Sequence, residues 1–231
     1  MTAAGYRVIT YDRRGFGRSG TPATGYTYDT LAEDLHTLLA EFDLNDVTLV
    51  GFSMGGGEVA RYFANYGSER LHSAVFASAV PPALMQTTDN PAGPLTLTQA
   101  TAMSAGLSKN QDEFYDQFVT DFFTAGGVLK VSQQQREAAL ELTKQANTEA
   151  ALACMSAFAN TDFRHDLTKV DVPTLVLHGD SDMIVPYEGS GQRTHEAIKQ
   201  SEVHVIVDGP HGCNVSHAEE WNRTLTEFLA R

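Results

Sequence analysis

Between the apolar run Val47–Val50 and a series of small residues lies Gly51-Phe52-Ser53-Met54-Gly55, a G-x-S-x-G pattern set where a strand should turn into a helix. A serine on so sharp a turn occupies a strained backbone that lifts its Oγ clear of the sheet, and glycines are needed where strand and helix approach closely. The helix that follows points free N–H groups and a positive dipole end at the same spot, so Met54 N–H would be one donor to an oxyanion formed on a carbonyl attacked by Ser53. The chemistry implied is acyl transfer. A serine hydroxyl is a weak nucleophile, so such a site also needs a base and an acid that orients it.

Both are available in the order this architecture requires, Ser, then Asp, then His, on loops after later strands. After the apolar run Thr174–Leu177 comes His178-Gly179-Asp180-Ser181-Asp182, and after Val203–Val207 comes Asp208-Gly209-Pro210-His211-Gly212. His211 is the candidate base, because of the eight histidines it alone sits just past a late strand in a Gly-Pro-His-Gly turn. Asp180 and Asp182 compete for the acid. Asp182 is favoured because it lies further from the strand end and can reach across to His211, whereas Asp180 can cap the loop through backbone N–H groups. No metal is expected, since no histidine pair shows H-E-x-x-H spacing.

These residues need a scaffold of alternating strands and helices. Tyr6–Tyr11 reads as a strand running into the glycine-rich loop Asp12–Gly20. Leu31, Leu35, Leu38, Leu39 and Phe42 form one helical face; Val47–Val50 is a strand, Met54–Tyr66 a helix and Leu71–Val80 a strand. Residues from about Pro82 to His165 carry no convincing strand but several helical patterns, among them Phe114, Phe118 and Phe122, and a capping-box spacing at Ser132 and Gln135. Strands return at Thr174–Leu177 and Val203–Val207, with a weak helix over Gly189–Gln200 and a closing helix through Trp221, Leu225, Phe228 and Leu229. The pattern predicts an α/β fold, a mostly parallel sheet with helices on both faces: core segments 1–81 and 166–231, interrupted by a helical cap at 82–165.

Composition narrows the class further. The 231 residues are 42% hydrophobic and 19% charged, enough apolar surface for a full core and too much for a disordered chain. A net charge of −13 repels phosphate backbones and anionic lipid, which argues against nucleic-acid and membrane-surface partners. No leader pattern or apolar run of spanning length occurs, and Cys154 and Cys213 stand in no C-x-x-C spacing, which fits a reducing cytoplasm. The three arginines of the Asp12–Arg18 run read more readily as loop-fixing partners of carboxylates than as an anion site. Cys213 reads as a small buried filler, and the cap aromatics mainly as packing.

The segments Tyr11-Asp12-Arg13-Arg14-Gly15-Phe16-Gly17-Arg18-Ser19, Val50–Gly57 with Glu58-Val59-Ala60-Arg61-Tyr62, and His178-Gly179-Asp180 with Ile184-Val185-Pro186 resemble the cofactor-free bacterial haloperoxidases. These are α/β-hydrolases that include perhydrolases and arylesterases. The resemblance implies Ser53 as nucleophile, Asp182 as acid, His211 as base and Met54 N–H as oxyanion donor, with no cofactor. It also implies small esters or carboxylic acids as substrates, water or hydrogen peroxide as acceptor, and leaves self-association open. In one respect the chain departs from the pattern. Members of this family usually begin roughly 40–50 residues earlier, with a strand ending in a His-Gly turn that supplies the second oxyanion N–H. In the family's strand order that strand lies between Tyr6–Tyr11 and Val47–Val50, so a hole inside the sheet and a truncated chain are expected. The leading expectation is a serine hydrolase with perhydrolase and haloperoxidase activity. The alternatives are an inactive fragment, a non-catalytic binding protein of the same fold, and another serine-elbow hydrolase such as a lactonase.

Overall fold

A computed structural model describes residues 1–231. Four parallel strands form the central sheet in the order β1 (Val47–Phe52), β2 (Leu71–Ala77), β5 (Thr174–Gly179), β6 (Ser201–Ile206). Val50, Val75, Leu175 and Glu202 lie in one row across it. Each crossover carries helix: α2 (Met54–Tyr66) between β1 and β2, a long helical insertion between β2 and β5, and α8 (Gly191–Ala197) between β5 and β6. α1 (Tyr28–Glu41) precedes the sheet, and α9 (Cys213–Ser216) and α10 (Ala218–Leu229) follow it. No helix is long and apolar enough to cross a membrane.

Side-chain alternation on the inner strands explains why the sheet is covered on both sides. Ala74, Phe76 and Val176 enter a core with Leu31, Leu35 and Leu39 of α1 and Val59 and Phe63 of α2. Their neighbours Val75, Ala77, Leu175 and Leu177 enter a second core with Leu225 and Phe228 of α10. Burying each of the valine, leucine and phenylalanine side chains contributes about 1.5–3 kcal/mol, so the inner strands are the energetic centre of the molecule. α1 begins where Thr27 accepts a hydrogen bond from Thr30 N–H, and it ends at Glu41. Phe42 therefore falls past its last turn and is 66% exposed, contrary to its expected place on the apolar face.

The insertion holds α3 (Leu97–Lys109), α4 (Gln111–Phe122), α5 (Gln133–Thr143), α6 (Thr148–Asn160) and the short α7 (Arg164–Leu167). Ser132 and Gln135 form the reciprocal cap at the start of α5. One correction concerns residues 82–165, read as strandless: Thr124–Ala125 (β3) and Val128–Leu129 (β4) pair in an antiparallel hairpin. Its turn is Gly126-Gly127, both at positive φ, a conformation that suits a two-residue hairpin and costs glycine nothing sterically.

A second correction concerns Tyr6–Tyr11. The segment is extended but belongs to no strand, and none of the backbone N–H groups from Arg7 to Asp12 donates a hydrogen bond. Val8 and Ile9 are 48% and 45% exposed. β-Branched composition makes a segment fit for a sheet, but a strand exists only where a neighbour completes the ladder. Between this segment and the free edge of β1 lies a cavity of about 1120 Å³, lined by Tyr6–Arg13 and Val47–Phe52 and floored by Trp221, Leu225 and Leu229.

The glycine-rich loop beyond is tied down by charge. Arg13 makes two hydrogen bonds to the buried Glu58 carboxylate, which also accepts from Tyr11 Oη. Arg14 clasps Asp34 at 2.5 Å through two nitrogens, and Arg18 lies 3.3 Å from Asp12.

Candidate active site

Because the central strands are parallel, the loops after them emerge on one edge of the sheet, where chemistry in such folds collects. Ser53 follows β1, Asp182 follows β5 and His211 follows β6. Ser53 sits at φ 53°, ψ −122°, a positive-φ conformation that costs a non-glycine residue about 1–3 kcal/mol. Three backbone hydrogen bonds hold it there: Ser53 N–H donates to Ala77 C=O at 2.9 Å, and its carbonyl accepts from Gly56 N–H at 3.0 Å and Val80 N–H at 3.2 Å. Gly51 is required by the approach of strand and helix, since a Cβ there would lie 2.6 Å from the Gly55 carbonyl oxygen.

The result is a half-buried hydroxyl at the N-terminus of α2. Met54 N–H opens that helix and has no intrahelical acceptor, which leaves it free for an oxyanion.

His211 lies between Ser53 and Asp182. Its Nε2 is 2.9 Å from Ser53 Oγ and its Nδ1 is 2.7 Å from Asp182 Oδ2. A carboxylate only accepts, so Nδ1 carries the proton and Nε2 presents a lone pair to the serine hydroxyl. The other carboxylate oxygen, Oδ1, accepts from Ile184 N–H at 2.9 Å and Val185 N–H at 2.7 Å. Burial of Asp182 opposes its charge, but the adjoining His211 and hydrogen bonds from His178 and His211 outweigh that and hold the carboxyl below the usual carboxylate range. Asp180 turns away: its Oδ1 accepts from Asp208 N–H at 2.7 Å and caps the neighbouring turn.

Aromatic rings wall His211. Phe52 and Phe122 have centroids 5.1 Å and 4.8 Å from the imidazole of His211, and Phe122 continues through Phe118 to Phe114 along one face of α4. The insertion thus reaches the site through α4, and Gly212 N–H donates to Phe122 C=O at 2.8 Å. Phe163, by contrast, packs edge-on against Tyr28, 4.7 Å away in the main core. Cys213 is buried, its Sγ 3.8 Å from Ser78 Oγ, and burial pushes its thiol up to about 11. It fills space beside the site as a protonated thiol. No three His, Cys, Asp or Glu side chains converge in a geometry that would hold a metal ion.

Sequence reasoning did not single out Phe52 or His178 as neighbours of the catalytic candidates, and it took Phe122 with the other cap aromatics mainly as packing. The available signals were the i, i+4, i+8 spacing of the α4 phenylalanines and the position of His178 four residues before Asp182.

Comparison with known proteins places this geometry in context. Residues 2–218 match the family model described as alpha/beta hydrolase fold. A putative non-heme chloroperoxidase of Synechocystis is 43% identical over 228 residues, covering 98% of this chain and 82% of that protein. A bifunctional esterase/perhydrolase of Acinetobacter calcoaceticus is 34% identical, with 97% and 82% covered. Among solved structures, a bromoperoxidase from Bacillus anthracis superposes with a TM-score of 0.97 at 50% identity, covering 99% of this chain and 83% of the other.

Proposed function

The chain is an enzyme of the α/β-hydrolase fold family, within its non-haem haloperoxidase group, and from that premise we propose that it transfers acyl groups from small carboxylic esters or acids through Ser53 to water or hydrogen peroxide. The observation that carries the reading is the continuous hydrogen-bonded line from Ser53 Oγ through His211 to Asp182.

In the first half-reaction His211 Nε2 takes the Ser53 proton as Oγ bonds to the acyl carbon. The resulting oxyanion is met by Met54 N–H. Collapse expels the alcohol, which receives the proton from Nε2, and leaves an acyl ester on Ser53. Asp182, fixed through both oxygens, stabilises the imidazolium and keeps the ring in the tautomer that presents Nε2. In the second half-reaction water loses a proton to His211 and attacks the ester, releasing a carboxylic acid and restoring Ser53.

With hydrogen peroxide in place of water, the same proton transfer yields a peroxycarboxylic acid. Free in solution, that peracid transfers one oxygen atom to a halide ion and a proton, giving hypohalous acid and the parent carboxylic acid. Halide oxidation then needs only a carboxylic acid, peroxide and the serine site. The esterase/perhydrolase and haloperoxidase relatives support this pairing of activities. Residues 82–165 act as the cap, with Phe122 walling an apolar acyl site against Phe52.

A fluorophosphonate probe with intact-mass readout tests the nucleophile. One adduct should form on the parent, none on Ser53→Ala, and labelling of His211→Ala should be slower by at least about 10³-fold. A folded parent that takes no label, or a Ser53→Ala variant that still does, overturns the assignment. Bromination of a reporter dye in acetate, peroxide and bromide should then depend on Ser53 and on the carboxylate together.

A further inference from the structure

His178 is buried to 0% exposure on the penultimate residue of β5, directly behind the acid. Its Nε2 lies 2.8 Å from Val185 C=O and 3.2 Å from Asp182 Oδ2, the oxygen that also faces His211. A carbonyl can only accept, so Nε2 carries a proton and directs it at Val185 C=O, with Asp182 Oδ2 close beside it. Nδ1 has no partner and is buried. Gly191 closes that side so tightly that a Cβ would stand 2.5 Å from Nδ1, and the Tyr187 ring lies 5.6 Å away. With Nδ1 unpartnered, Nε2 is the one ring nitrogen through which His178 can hold its surroundings.

The catalytic steps above do not use this second imidazole, yet its Nε2 reaches both ends of the turn that carries the acid. Val185 is the residue whose N–H holds Oδ1. By hydrogen-bonding Val185 C=O while its Nε2 stands 3.2 Å from Oδ2, His178 braces the 182–185 turn and sets a positive N–H edge beside the carboxylate. We propose that His178 is a positioning residue that aims Asp182 Oδ2 at His211, acting through Asp182 and touching no substrate; this rests on the assignment of Ser53, His211 and Asp182 made above.

The test compares His178→Leu, which removes the donor, with His178→Gln, whose amide N–H₂ can reach the place of Nε2. Loss of the Val185 bond and of the N–H edge beside the carboxylate predicts a kcat for ester hydrolysis about 10- to 100-fold lower in His178→Leu, with KM within about twofold of the parent. His178→Gln should recover most of kcat. The low-field proton resonance of His211 Nδ1–H should be retained in His178→Gln and lost or displaced in His178→Leu.

Gly191→Ala gives a second route: it leaves the imidazole chemistry intact but pushes the ring off its seat, and should lower kcat with the same sparing of KM. If His178→Leu does not fold, Gly191→Ala decides. The proposal is overturned if kcat in folded His178→Leu or Gly191→Ala stays within about twofold of the parent, or if Gln is no better than Leu, which would make His178 a space-filler. Failure of the underlying assignment looks different: Ser53→Ala would then keep its activity, whatever His178 does.

Discussion

The two flanks of β1 differ in whether a neighbour completes the backbone ladder. On one side Val47–Phe52 pairs with Leu71–Ala77, with one register shift after Val47, and Val75, Phe76 and Ala77 of that partner are at 0% exposure. On the other, the more β-branched Arg7–Tyr11 run faces β1 across a cavity of about 1120 Å³ with its backbone N–H groups unbonded within the chain. The paired flank stabilises the molecule through burial. The open flank is held at one end, where Tyr11 and Arg13 converge on Glu58 of α2. Ser53, Asp182 and His211 all hang from strands of the paired sheet, whereas Met54 and Gly55 also border the cavity. Ser53 and His211 thus hang from the paired side, and Met54, the candidate oxyanion donor, also borders the open one.

The sharpest way to break the comparison is to truncate one apolar residue on each flank. Phe76→Ala should cost about 3–5 kcal/mol in denaturant unfolding, because it opens a cavity among residues that cannot collapse into it. Ile9→Ala should change stability by less than about 0.5 kcal/mol, since the side chain is already half in water. Comparable losses at the two positions would mean that the open flank is as tightly packed in solution as the closed one.

A smaller effect tests the tether. Glu58→Gln removes the charge to which Arg13 bonds twice, and should cost about 1.5–3 kcal/mol. The loss should appear together with freer motion of residues 6–18, while Ser53 labelling continues. If labelling disappears with the tether, the open flank contributes to the elbow more than the paired strands imply.

Acid sharpens the contrast further. Asp182 on the paired side has its carboxyl held low in the folded state, opposed by burial and favoured by His211 and His178. A carboxylate depressed on folding contributes stability that is full above its unfolded value of about 3.9 and is lost as pH falls through the folded value. Asp182→Asn should therefore flatten the acid limb of the stability curve. Asp12 on the open side is also lowered, by its hydrogen bonds from Arg18, but that partner stands almost wholly in water, and Asp12→Asn should leave that limb unchanged. Thermal unfolding between pH 2.5 and 6 reads both.

How much was legible in the sequence follows the same divide. The serine elbow is a local object, strand, tight turn and helix within some twenty residues, so Ser53 and Met54 stand out from residue order alone. Asp182 and His211 follow because parallel strands deliver their loops to one edge. His178 does not stand out, since its meeting with the acid depends on a turn that folds back four residues later and on Gly191 arriving from α8. Phe122 is equally silent: its face of α4 was visible, but its neighbour His211 lies 89 positions away in sequence. At Tyr6–Tyr11 the composition is strand-like and the structure is not, because hydrogen-bond partners come from tertiary context that no propensity encodes. The Gly126-Gly127 hairpin carried its signal in the glycine pair, but two-residue strands are too short to show alternation.

The smallest effect is the most local. Hydrogen exchange measures the free energy of opening amide by amide, from near zero in unbonded segments to the global value in core strands. Amides of β2 and β5, buried on both faces, should exchange only on global unfolding. Those of Arg7–Asp12 have no acceptor in the chain and should exchange within about tenfold of the unprotected rate, even though Tyr11 and Arg13 are anchored by their side chains. A side-chain anchor fixes where a segment lies without shielding its backbone, so the two measurements are independent. Strong protection at Arg7–Asp12 would require an acceptor on the far side of the cavity, and would turn the open flank of β1 into a second paired one.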